Sequence, residues 1–165
     1  MTVGCTSDDG PARPISVQVS KANGPVPIQW DPCFKVNDNT VSELGFDPTT
    51  RRRETYLDRE ETKTGCRFTR KMDDPNSHGE VGWLVVITNT LTLEQLSFVF
   101  PNAPKVTIDG REGISIPEDG DSCGITMTGP DGTIAVRLGA TPARSWDPCE
   151  QIENAARVVE STLPK

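Results

Sequence analysis

The chain has 165 residues, room for one domain with one hydrophobic core. Its 24 acidic and 17 basic residues leave a net charge of −7, which repels nucleic-acid phosphate and argues against a nucleic-acid partner. Hydrophobic residues are 34%, Gly and Pro number 14 each, and a single His and a single Tyr leave little of the usual catalytic equipment.

At the start of the chain, Gly4 precedes Cys5, and Thr6, Ser7, Asp8, Asp9 and Gly10 follow. A small residue before Cys and a polar tail after it have the form of the end of a bacterial lipoprotein signal peptide. On that reading Cys5 becomes the lipid-bearing first residue of the mature chain. The apolar segment expected upstream of such a cysteine is missing from this sequence. Residues 6–29 are rich in Asp, Pro, Gly and Ser, with Pro11, Pro14, Pro25 and Pro27, and read as an extended tether. Ile15, Val17 and Val19 alternate, so a short edge strand is allowed inside it. Residues 1–29 are thus assigned to lipidation site and tether, and 30–165 to a single domain. No stretch approaches the length of apolar sequence that spans a bilayer.

The domain opens on Trp30, Asp31, Pro32 and Cys33, which recur as Trp146, Asp147, Pro148 and Cys149. Each copy predicts a helix start. Asp accepts the free N–H groups of the first turn, and Pro is tolerated at the first helical position. In the second copy Glu150 stands at capping-box spacing from Asp147. Ile152, Ala155, Ala156, Val159 and Leu163 then repeat at helical period, predicting an amphipathic helix over 148–163 that stops at Pro164. After the first copy, residues 40–44 give a further turn or two, closed by Gly45.

Between the copies the pattern is mostly strand. Residues 66–70 alternate as a strand with one wet face, and Val81–Thr88 is apolar on both faces, hence a central strand. Residues 92–96 read as a helical turn, followed by extended Phe98, Val99 and Phe100. Residues 106–109 and 113–116 flank Asp109 and Gly110, a hairpin signal. A second hairpin is predicted across residues 129–132, with Cys123, Ile125 and Met127 facing the same way as Ile134, Val136 and Leu138. Hairpins with helices at the ends predict an α+β fold, an antiparallel sheet with helices packed on one face.

The five cysteines are Cys5, Cys33, Cys66, Cys123 and Cys149. No pair has C-x-x-C spacing, which argues against zinc ribbons and thioredoxin-type sites, and His78 alone supplies no second ligand type in number. Four cysteines in the domain read as two disulfides and Cys5 as the odd thiol, so an oxidising compartment is expected. The series Trp30 to Cys33, then Glu43 to Pro48, then Gly65 to Phe68, then one cysteine entering a strand, then a closing Asp-Pro-Cys helix ending at Leu163 and Pro164, resembles a family of actinobacterial cell-envelope lipoproteins of mycobacterial and nocardial type. That family's domain is of unknown function, and the resemblance spans about residues 28–164. It implies secretion, a lipid anchor and two disulfides, but no reaction and no catalytic residues. Four cysteines allow three pairings. Cys33–Cys66 and Cys123–Cys149 are preferred, because each joins the first turn of a helix to a strand across a short loop.

The remaining candidates each have a plain structural explanation. Trp30 and Trp146 are a candidate platform for sugars or stem peptides, but packing beside the disulfides is preferred, and Trp83 on the central strand is expected in the core. Arg51, Arg52 and Arg53 suit a phosphate, but residues 51–63 hold five basic and four acidic groups and read as a solvated loop face. His78 lies with Asp73, Asp74 and Glu80 among Pro, Asn, Ser and Gly, which is turn chemistry rather than a site. Glu118, Asp119 and Asp121 are too few for a calcium loop. No catalytic, cofactor-binding or metal-binding residue is therefore assigned. The expectation is a monomeric, non-enzymatic domain outside the cell membrane, binding a protein or cell-envelope polymer. The alternative is a carrier of a lipid or small apolar molecule. An apolar cleft between sheet and C-terminal helix favours the carrier; a filled core with an exposed groove favours the interaction module.

Overall fold

Both Asp-Pro-Cys motifs start helices by the same local chemistry. The computed structural model describes residues 27–57, 62–72, 79–118, 120–142 and 146–165. In it Asp31 caps α1 (Pro32–Lys35) and Asp147 caps α4 (Pro148–Glu160). Each carboxylate accepts the N–H of the cysteine two residues on, at 3.0 and 2.8 Å. Asn37 caps α2 (Asp38–Glu43), which ends at Gly45 with a left-handed φ of 80°. Glu150 is exposed. The reciprocal capping box is built instead at α3 (Leu93–Val99), where Thr92 and Gln95 bond each other's backbone N–H.

The strands are β1 (Asp47–Leu57), β2 (Thr62–Lys71), β3 (Glu80–Asn89), β4 (Lys105–Ile108), β5 (Arg111–Pro117), β6 (Ser122–Gly129) and β7 (Gly132–Ala140). They form one antiparallel sheet in the order β1-β2-β3-β7-β6-β5-β4. Asp109 and Gly110 both have positive φ, 48° and 87°, the mirror-image turn that matches strand twist. At the β6–β7 turn, Asp131 accepts the N–H groups of Gln29 and Trp30 at 3.0 and 2.8 Å, tying the domain's start to the sheet.

One expectation fails at β1. Of residues 51–63, read as a solvated loop, 51–57 belong to an edge strand paired with β2, 62 and 63 already belong to β2, and 58–61 lie outside the described residues. An edge strand has one neighbour, and charged side chains are the usual dress of such an edge. Arg51 and Arg53 point back over the sheet, their guanidinium groups stacked 4.8 and 5.3 Å from the rings of Phe68 and Phe34.

Strand register decides the two faces. Phe68, Leu84, Val86, Ile125, Val136 and Leu138 share one face and are sealed from solvent. Residues of α1, α2 and α4 and their flanks cover it, with Trp30, Val41, Ala155, Ala156 and Val159 closing the core. The helix α3 lies against the other face. Asn89 Oδ1 accepts the N–H of Leu91 and Thr133 Oγ1 donates to its carbonyl, which steers the chain over that side.

Trp83 is half-buried on this second face rather than in the core. It lies on Gly139, where an added Cβ would stand 2.2 Å from the ring, and Arg67 stacks on it at 5.0 Å. Its register partner is glycine because nothing larger leaves room for the indole. Gly139→Ala is expected to lift the ring and destabilise the fold by about 1–3 kcal/mol, the usual cost of overpacking. Tryptophan emission shifting to the red alongside a lower unfolding midpoint is the check; unchanged values would contradict this packing. Trp146 repeats the arrangement over Gly82 on the helix side, its Nε1 donating to the Val81 carbonyl at 3.0 Å. Cys5, residues 6–26 of the tether with Ile15, Val17 and Val19, and His78 with Asp73 and Asp74 lie outside the described residues.

Candidate functional site

The second face of the sheet is where side chains become small. Ala135 on β7 stands beside Thr126 on β6 and Ile87 on β3, with Gly124 two residues along β6. Larger groups rise around them: Ile116 of β5 on one side, and Leu96 and Phe100 from α3 and its end. The result is a groove of about 540 Å³ on the open face, in the size range of small-molecule sites.

Its polar groups are mostly engaged by the fold. Asn89 and Thr133 hold the backbone of Leu91. At one end Arg137 meets Glu118: Nη2 donates to Oε2 at 2.6 Å, and Nε faces Oε1. Glu118 reaches in from just beyond β5 and passes over Gly124, where an added Cβ would stand 3.0 Å from Oε1. Its side chain is 10% exposed, while that of Arg137 remains 40% exposed. Lys63 lines the groove as well.

Beside the groove, α3 ends in an apolar tip. Phe98 and Val99 are 81% and 63% exposed. They were expected to be extended, but the Thr92 capping box carries the helix through Val99. Exposed apolar side chains in a row mark contact surfaces.

The residues singled out by sequence divide clearly. Both preferred disulfides are present, Cys33–Cys66 joining α1 to β2 and Cys123–Cys149 joining β6 to α4. Two of the three arginines, Arg51 and Arg53, sew α1 and α2 to the edge of the sheet, while Arg52 stays on β1. Arg51 donates to the carbonyls of Cys33 and Val36, both at 2.9 Å, and pairs with Asp38 at 2.6 Å. Arg53 pairs with Asp31 at 2.7 Å, and Arg52 with Glu54 at 3.7 Å. Arg51 and Arg53 are cross-links rather than a phosphate cradle. Trp30 is buried, its carbonyl accepting from Thr88 Oγ1 at 2.7 Å, and Trp146 packs edge-on to Phe46 at 5.9 Å, so the two do not form a platform.

Among the described residues no three His, Cys, Asp or Glu side chains gather as metal ligands. Among the described residues two carboxyls are shifted, and both tie the fold rather than line the groove. Asp47 is lowered to about 2, chiefly by the Lys71 ammonium and then by Thr49. Glu160 is held below its ordinary value chiefly by Lys165 and, after the opposing effect of burial, by Arg111. Sequence reading missed Arg137 and the groove. No local signal marks them, because the floor exists only once β3, distant in sequence, pairs with the β6–β7 hairpin.

Residues 1–162 match the model of a family described as "Protein of unknown function (DUF3558)", and the chain belongs to that family. No curated protein and no solved structure matches it.

Proposed function

We propose that the chain is the extracytoplasmic domain of an actinobacterial envelope lipoprotein, anchored to the outer face of the cytoplasmic membrane through a lipid on Cys5. In this reading it is a monomeric, non-enzymatic module that binds a protein or another cell-envelope component. The contrast between the two faces of the sheet carries the proposal. On the helix side, Ala155, Ala156 and Val159 fill the space against Val136 and Leu138. That removes the cleft a carrier would need there. On the other side the sheet is open, with a groove and the exposed Phe98 and Val99 beside it. An open groove suits a partner that protrudes from the site. The two disulfides support an oxidising compartment.

Two experiments test this. Expressed in an actinobacterium behind a lipoprotein signal peptide, the protein should fractionate with membranes, and Cys5→Ala should appear in the medium. Both forms remaining in the cytoplasm with free thiols would sink the compartment assignment. For the site, Ala135→Phe fills the groove floor. It should fail to complement a deletion strain that the native gene complements; equal complementation excludes the open face as the binding surface.

A further inference from the structure

We infer that the open-face groove takes a single apolar chain ending in a carboxylate, and that Glu118 sits where the ligand's acid group binds. This deepens the reading of the groove as the binding site and rests on it.

The argument begins with what the groove lacks. A peptide laid along it would bring an N–H and a C=O per residue, and buried ones need partners. Asn89 Oδ1 and Thr133 Oγ1, the polar atoms of the floor at one end, already serve Leu91. Toward the middle Ile87, Ala135, Ile116, Leu96 and Phe100 surround the single hydroxyl of Thr126, a surface mostly suited to hydrocarbon. Phe98 and Val99, on the same helix as Leu96, add exposed apolar surface beside the groove.

The charge is placed at one end. Arg137 rises from the central strand β7, whose position is fixed by neighbours on both sides. Its guanidinium is a planar fork suited to a carboxylate. Glu118 uses part of that fork, one oxygen accepting from Nη2 at 2.6 Å while the other faces a buried Nε that makes no hydrogen bond. Glu118 belongs to the connection between β5 and β6, not to a strand. Gly124 leaves the space beneath it. Arg137 is 40% exposed, so the pair can be reached from solvent, but the Glu118 side chain is 10% exposed, so Glu118 yields Arg137 only as the ligand carboxylate takes over the pairing it gives up. The exchange keeps the charge balance: one carboxylate leaves the guanidinium and another takes its place.

The test titrates the folded chain, both disulfides intact, with dodecanoate, 1-dodecanol and dodecyltrimethylammonium below their aggregation limits, by calorimetry. Dodecanoate should bind more tightly than dodecanol by about threefold, less than one charge-assisted pair is worth because the pair with Glu118 is given up. Glu118→Gln should tighten dodecanoate several-fold and leave dodecanol unchanged, since it removes only the competing charge. Arg137→Met should erase the preference for the acid, and Arg137→Lys, which keeps charge but loses the fork, should retain part of it. Ala135→Phe should bind neither. Equal affinity for acid and alcohol, a preference that survives Arg137→Met, or no binding of dodecanoate by the native chain overturns the inference. If dodecanoate fails while Ala135→Phe still fails to complement the deletion, the groove remains the site and its ligand is of another class.

Discussion

Replacing both cysteines of either disulfide by alanine is expected to lower the melting temperature by about 10 °C, from a loss of about 3.5 kcal/mol in the chain-entropy model. The closed segments are similar, with sequence separations of 33 and 26, so the two losses should be of similar size. What differs is access. Cys66 is sealed beneath the α1 region and Cys33 is half-buried, whereas Cys149 is exposed. A mild thiol reductant should therefore open Cys123–Cys149 first, freeing the start of α4 from β6 while α1 stays bound to β2. Alkylation and peptide mapping along a reductant series would show the order, and calorimetry the stability. A melting temperature that ignores full reduction would mean that the bonds do not hold the fold.

That these bonds were readable from sequence follows from their locality. Asp31 and Asp147 each cap a turn within two residues, and each turn carries its own cysteine. The Asp109–Gly110 hairpin was legible for the same reason: two adjacent residues of positive φ specify it. Reading failed where the deciding contact is distant. The arginines of β1 look solvated in isolation, but Arg51 finds its acceptors on Cys33 and Val36, and Arg53 finds Asp31. Trp83 looks like core because β3 is apolar on both sides. Only the partner glycine, Gly139, places the ring on the open face. The groove is the extreme case. Ile87, Ala135 and Thr126 are adjacent only through the β3–β7 and β7–β6 registers, and Arg137 meets Glu118 across a loop.

The division of labour between the faces bears on function. The helix face carries both disulfides, the three helices that start or close the domain, and the sealed core. The open face carries one short helix, a half-buried tryptophan and the groove. Rigidity on one side lets small side chains stand on the other without collapse, because the sheet's position does not depend on filling them.

Glu160→Ala is expected to destabilise the domain by about 3 kcal/mol, the low end of the cost of stripping one partner from a buried pair. Glu160 is 2% exposed near the end of α4. Its carboxylate accepts from Arg111 Nε at 3.2 Å and from Lys165 Nζ at 2.9 Å. Arg111, on the β4–β5 hairpin side of the sheet, also donates to the carbonyls of Thr128 and Pro164 at 3.2 and 3.0 Å. One guanidinium thus ties the outer strands to the end of the helix that covers the core. Without Glu160 that guanidinium keeps two carbonyl partners but loses its counter-charge, which is why the low end applies. The pH dependence gives a second readout with a definite sign. Glu160 has a lower carboxyl pKa in the folded state than its ordinary value of 4.5, and Asp47 is lowered from 3.8 to about 2. A carboxyl lowered by folding contributes stability that is present above its unfolded pKa and is lost as pH falls through the folded one. The native domain should therefore lose stability as acid is added below about pH 4.5 and continue to lose it toward pH 2. Glu160→Gln keeps the shape and removes the titrating group, so its acid loss should be shallower over the upper part of that window. The part carried by Asp47 and Lys71 should persist. Urea unfolding at a series of pH values separates the two, and parallel curves for native and Glu160→Gln protein would show that this carboxylate does not hold the helix to the sheet.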